Sequence, residues 1–229
     1  MSSGKRITIL SQDEHDYLYG IPELTNKDRV VIFDLSQEDH EAINQLSSDA
    51  VKIDYILQLG YLRAKQFLFN FTFQQVRQDV WFIINNYFPD VAFPKKKVSK
   101  HYHYDNQKRL LKRFNYQPFT SKKNSPLQQQ AIILARRHVH PRFVFDELLG
   151  YCQQCNLIRP GYSTMQDIVS VALQTERDRV LNRMSLYLGK SARLALDSLL
   201  KNDDRFYQIT LIKKDPKDFS TQEMRKEVS

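Results

Sequence analysis

Along 52–64 the apolar positions Ile53, Ile56, Leu57, Gly60, Tyr61 and Ala64 recur at steps of three and four, the period of an α-helix. Tyr55, Leu59 and Leu62 carry apolar surface further round, leaving Lys52, Asp54, Gln58 and Arg63 as the polar remainder. A helix this apolar belongs between other helices. Gly60 costs about 1 kcal/mol of helix propensity, and the return expected is the close approach of a neighbouring helix.

The same period, punctuated by caps and prolines, predicts helices along most of the chain. Residues 1–10 read as a short arm. Ser11 with Glu14 is a capping box that starts a helix at Gln12, ending near Gly20. A second short helix runs from Thr25 or Asn26 to Phe33. Ser36 caps a third, with three acids in its first turn suiting the helix dipole. Asp49 is expected to cap the apolar helix. Thr72 is expected to cap the next, whose apolar face is Phe73, Val76, Val80, Trp81, Ile84 and Phe88, with Pro89 ending it. Pro94 and Lys95, Lys96 and Lys97 read as a hinge. Residues 100–114 read as a helix, followed by a turn over 114–119. Pro126 begins another helix, which Pro141 ends. Residues 143–155 are helical, Pro160 and Gly161 turn, and Ser163 caps a long helix to about Leu188. Helix, Pro-Gly turn and capped helix is how a helix-turn-helix looks in sequence. Residues 191–201 make a last helix. The expected fold is all-α, with two helical subdomains and helix-turn-helix-like elements: 1–92, a basic domain 93–202, and 203–229 as a linker. Ser220 and Glu223 form a further capping box with only six residues after it, so a longer parent chain is expected.

With 41% hydrophobic and 12% aromatic residues, the chain has ample material for a core. No apolar run approaches a membrane span, and the N-terminus lacks the apolar stretch of a signal peptide. Two cysteines make no disulfide framework and fit a reducing compartment.

Charge changes the picture more. Residues 95–142 hold thirteen Lys and Arg against one acid, Asp105, so that window carries +12 and the rest −4 of the net +8. Four of the six histidines lie there too. Concentrated positive charge on sequence with helical spacing points to a polyanion. The phosphate-contact candidates are Lys95, Lys96, Lys97, Lys100, Lys108, Arg109, Lys112, Arg113, Lys122, Lys123, Arg136, Arg137 and Arg142. Base-edge candidates sit where a recognition helix would enter the major groove: Ser163, Thr164 and Gln166, with Arg159 nearby. Tyr102, Tyr104, Phe114 and Tyr116 interleave with the cations. Base stacking is one use for them and core packing the other.

No catalytic constellation is visible. Asp13, Glu14 and Asp16, like Glu38, Asp39 and Glu41, sit in first turns where caps and dipoles explain them. Cys152 and Cys155 form one CxxC. With His138 and His140 it makes a conceivable zinc set, but the CxxC lies inside a helix, and two packed thiols are the simpler reading. No metal, cofactor or small-molecule substrate is expected here.

The register Lys52, Ile53, Tyr55, Gln58, Leu59, Tyr61, Leu62, Arg63 resembles the N-terminal region of Tn-3 family transposases, which usually have Arg, Leu, Gly, Phe where this chain has Lys52, Ile53, Asp54, Tyr55. The aromatic-Pro-Phe turn at 114–119, with Gln117 off pattern, and Pro160, Ser163 and Thr164 are further patches. The stretch 211–224 looks like the way into further domains. The resemblance implies the DNA-binding portion of a bacterial, cytoplasmic transposase. Such portions recognise double-stranded DNA at the terminal inverted repeats of the transposon, in DNA transposition. It implies that the RNase H-like catalytic domain, with its carboxylates and divalent metal, lies downstream. Two alternatives stay open: a helical interaction module through which the transposase self-associates, and a sequence-blind nucleic-acid binder.

Overall fold

The computed structural model describes residues 6–119 and 125–199, and the backbone of 202–203 and 206–207. The protein is all-α. Its helices are α1 (Gln12–Tyr19), α2 (Asn26–Ile32), α3 (Gln37–Asn44), α4 (Asp49–Lys65), α5 (Arg77–Tyr87), α6 (Lys100–Arg113), α7 (Pro126–Arg137), α8 (Pro141–Gln154), α9 (Tyr162–Tyr187) and α10 (Lys190–Leu199). Residues Met1–Glu176 form one compact unit and Arg177–Ser229 a second. Lys122, Lys123, the second capping-box pair Ser220 and Glu223, and most of the expected linker lie outside the described residues.

Local chemistry starts the first helices as expected. Ser11 with Glu14, Thr25 with Asp28 and Ser36 with Asp39 each close a capping box on α1, α2 and α3. Several other starts differ. The cap of α4 is Ser48, without a side-chain bond, and Asp49 is its first helical residue, where its charge still meets the positive end of the dipole. Thr72 and Gln75 do exchange cap-type bonds, but around a turn, and α5 begins only at Arg77. That turn drops Phe73 and Val76 into the core. Ile83 packs inside, whereas Trp81 lies over Phe93 with ring centroids 5.4 Å apart. Pro141 opens α8 as its first residue, where a missing N–H costs nothing. Ser163 lies within α9: the Met165 amide donates to the Gly161 carbonyl at 3.0 Å, so Tyr162 is the first helical residue.

Two apolar cores fill the first unit. One surrounds α4, which is buried without a break from Ile53 to Leu62. Each large aliphatic or aromatic side chain so buried contributes about 1.5–3 kcal/mol. The close approach expected at Gly60 comes from α2 and its C-cap: a Cβ there would press into the Phe33 ring and the Ile32 side chain. The other core joins α7, α8 and the first half of α9 through Leu127, Ala131, Leu134, Phe145, Leu148 and Met165. The N-terminal arm completes it, with Leu10 buried and Ile7 and Ile9 packed on its edge.

The expected division at residue 92 is not where the chain divides. Helix α6, inside the basic segment, lies against α4 and sends Leu110 into the α4 core. The turn after α6 pairs by main chain with the α8–α9 connection: Gln117 N donates to Asn156 O at 2.8 Å, and Ile158 N to Gln117 O at 2.9 Å. That use of Gln117 needs no particular side chain.

In the second unit, the last part of α9 and α10 leave Leu181, Leu186, Tyr187 and Leu194 exposed, and Asn202–Asp203 pairs antiparallel with Phe206–Tyr207. Among the described residues no helix is long and apolar enough to cross a membrane.

Candidate nucleic-acid interface

Helix α6 turns a polar face, not only an apolar one, towards α4. Ser99 caps it, its hydroxyl accepting from the Tyr102 amide. One and two turns on, His103, Asn106 and Gln107 point inward beside Leu110. Opposite them sits Asp54, only 2% exposed in the middle of α4. Its Oδ1 stands 2.8 Å from His103 Nδ1, and its Oδ2 accepts from Gln58 Nε2 at 2.6 Å and from Asn106 Nδ2 at 2.8 Å. Asn106 also donates to the Val51 carbonyl at 3.1 Å. The hydrogen bond to Asp54 raises the His103 pKa above its ordinary 6.5 against the opposing effect of burial. The pair therefore has the character of a charge-assisted hydrogen bond between two helices.

This corrects one expectation. Asp54 and Gln58, expected in the polar remainder of the apolar helix, are both buried. A carboxylate inside a helical core is costly unless matched. Here three donors match it, and the match docks α6 in a fixed orientation.

With its inner face committed, α6 sends its cations outward. Lys95, Lys96, Lys97, Lys100, Lys108, Arg109 and Lys112 are all exposed. Among the described residues only Lys108 of these has an acidic partner, Asp105 at 4.0 Å. Arg113 differs: its guanidinium lies 2.6 Å from Asp39 and 3.5 Å from Glu38. Asp39 also takes Arg63 at 2.7 Å and the Ser36 cap, so Arg113 is a tie between α6 and α3.

Beside the start of α6 a cavity of about 290 Å³ opens, lined by Asp54, Phe71, Phe73, Lys97, Lys100, His103 and Tyr104 among others. Of the four aromatics interleaved with the cations, Tyr102 and Tyr104 are 46% and 51% exposed, whereas Phe114 and Tyr116 pack against the α4 core.

The remaining candidates are placed differently. Arg142 is paired with Glu14 at 2.6 Å and Asp146 at 2.8 Å, joining α8 to α1. Arg136 stands 3.5 Å from Glu176, and Arg137 is exposed with no ion pair among the described residues. Arg159 packs against the Tyr19 and Phe67 rings, 5.0 and 5.6 Å from their centroids, and donates to the Leu18 and Lys65 carbonyls. Gln166 is buried and donates to the Ile7 carbonyl at 2.7 Å. The Tyr162 hydroxyl accepts from the Ile9 and Leu10 amides, and Asp167 is paired with Arg6 at 2.9 Å. The N-terminal arm thus occupies the first turns of α9. Arg159 and Gln166 are structural, Ser163 is exposed and Thr164 half-buried. The α8–α9 connection spans the seven residues 155–161, longer than the three or four of a helix-turn-helix.

A family model for DUF4158, a domain of unknown function, matches residues 9–172. The chain belongs to the DUF4158 family. The matched span runs from the arm through α1 to α8 and into α9, and so contains both cores, the cationic face of α6 and the cavity. No curated protein matches the chain.

Among the described residues no three His, Cys, Asp or Glu side chains stand together to hold a metal ion. Cys152 is buried, which pushes its thiol up to about 11, and Cys155 is exposed. The His138 and His140 rings are 6.3 Å apart at the α7–α8 junction.

The pairing of His103 with Asp54 is not evident from the basic window or from the polar remainder of α4. The available signal was the run His103, Asn106, Gln107 at steps of three and four, a polar stripe on the face that also bears Leu110.

Proposed function

We propose that this DUF4158 chain binds double-stranded DNA along the outer face of α6 and the lysines before it, as the DNA-end-binding part of a transposase. The observation that carries the reading is the set Lys95, Lys96, Lys97, Lys100, Lys108, Arg109 and Lys112, all exposed on one helix and the loop leading into it, with Asp105 the one acid in 95–119. A helix docked rigidly by buried polar bonds keeps such charges at fixed spacing, which suits the regular spacing of phosphates. The assignment to transposon ends rests on the resemblance carried by 52–63 and the two later patches. Catalysis and its divalent metal would then belong to another part of the parent enzyme.

Salt-dependent binding tests it. Seven phosphate contacts give a log–log slope of affinity against salt of about −6. Fluorescence anisotropy with a labelled duplex from 50 to 300 mM salt, roughly the range over which such contacts weaken, should show that slope. A flat dependence ends the reading. Preference for the element's own end over a scrambled duplex separates end recognition from sequence-blind binding. Self-association is a second reading, favoured by the apolar side chains that α9 and α10 expose in the second unit. A concentration-dependent mass in sedimentation would support it.

A further inference from the structure

The cavity at the start of α6 combines features that a smooth phosphate-binding face does not need. Its wall brings together two primary ammonium groups, Lys97 and Lys100, the rings of Phe71 and Tyr104, and the Asp54–His103 pair. With His103 protonated, three cations face one carboxylate, and that carboxylate is already matched by Gln58 and Asn106. The wall therefore combines net positive charge with aromatic rings. Phe71 stands edge-on to His103, ring centroids 5.5 Å apart at 81°, which fixes both rings. Tyr104 is 51% exposed at the rim, its ring available for a stacking partner. The volume, about 290 Å³, is far more than one phosphate fills and lies at the small end of ligand pockets.

The geometry points to a site for one unpaired nucleotide, its base stacked on Tyr104 against Phe71 and its phosphate between Lys97 and Lys100. This rests on the proposed DNA-binding reading and deepens it: the lysines of the cavity continue the cationic face of α6, so a strand lying on that face passes the cavity mouth. A base with no partner in a duplex costs least to draw out of the stack, so frayed or single-stranded ends are the natural occupants.

Calorimetric titration of the full chain tests this with four probes: thymidine, inorganic phosphate, thymidine 5′-monophosphate and 5′-phosphorylated tetrathymidylate. The monophosphate should bind about tenfold tighter than thymidine or phosphate alone, within the range of one base–aromatic stack. Tyr104→Leu should remove about that factor, and Lys97→Gln with Lys100→Gln should abolish the preference for the phosphorylated probe. All three positions are exposed, so helix content by circular dichroism should stay unchanged. Tighter binding of the tetranucleotide assigns the site to a strand, and equal binding to a free nucleotide. Phosphate binding as tightly as the monophosphate, or a Tyr104→Leu protein that binds like the parent, overturns the inference. Duplex affinity of Tyr104→Leu separates the two readings. If it is retained while the monophosphate does not bind the parent chain, the nucleotide site falls and the α6 face stands.

Discussion

The start of α9 and the face of α6 both carry polar residues, and the molecule uses them in opposite ways. At α9 the N-terminal arm lies across the first turns, and Tyr162, Gln166 and Asp167 are taken up in holding it. At α6 the inward polar residues are spent on Asp54 and the outward cations are left to solvent. A polar side chain thus signals binding only when the packing around it leaves it unspent. Helix α6 meets that condition because α4 offers it the Asp54 carboxylate, the Gln58 carboxamide and the Val51 carbonyl, which hold the helix without drawing on its lysines.

The comparison breaks most severely at Asp54. Asp54→Ala removes the acceptor that His103, Gln58 and Asn106 share, and urea unfolding should show a loss of about 3–5 kcal/mol, the cost of breaking a buried charged pair. A loss below 1 kcal/mol would mean that α6 is not docked through this network. Next, Lys108→Gln, Arg109→Gln and Lys112→Gln together should reduce the salt slope of duplex binding by about three, with the unfolding midpoint unchanged. An unaltered slope would move the interface elsewhere. On the α9 side, Gln166→Ala should cost about 1 kcal/mol of stability through the lost bond to Ile7 and leave discrimination between duplexes as it was. A narrowed preference would reinstate α9 as the reading helix. The smallest effect is on pH. His103 has its pKa raised by Asp54, so its contribution is complete below about 6.5, the unfolded value, and is lost as pH rises through the higher folded value. Stability measured from pH 5.5 to 8.5 should fall across that window in the parent chain, and His103→Gln should flatten the fall.

Much of the fold is legible in the residues. Ser11, Thr25 and Ser36 announce three helices because a capping box is a local device, closed within four residues. The unbroken apolar run of α4 places it in a core, and Gly60 marks where α2 comes close. The site is legible in part. Lys95, Lys96, Lys97, Lys100, Lys108, Arg109 and Lys112 stand exposed as a basic window suggests, but Arg113, Arg142 and Arg159 do not stay free. Apart from Asp146, one turn on from Arg142, their partners Glu38, Asp39, Glu14, Tyr19 and Phe67 lie dozens of residues away, beyond any local pattern.

Periodicity and caps, which act within one helical turn, were enough to determine that this chain is helical, where most helices begin, and that positive charge gathers in its middle third. Tertiary structure alone decided that Asp54 is buried under α6, that the arm covers α9, and that Phe71, Phe73, Tyr104 and two lysines share a cavity. Hydrogen bonds and ion pairs are short-ranged, so a side chain's role follows from what the fold sets within about 3 Å of it.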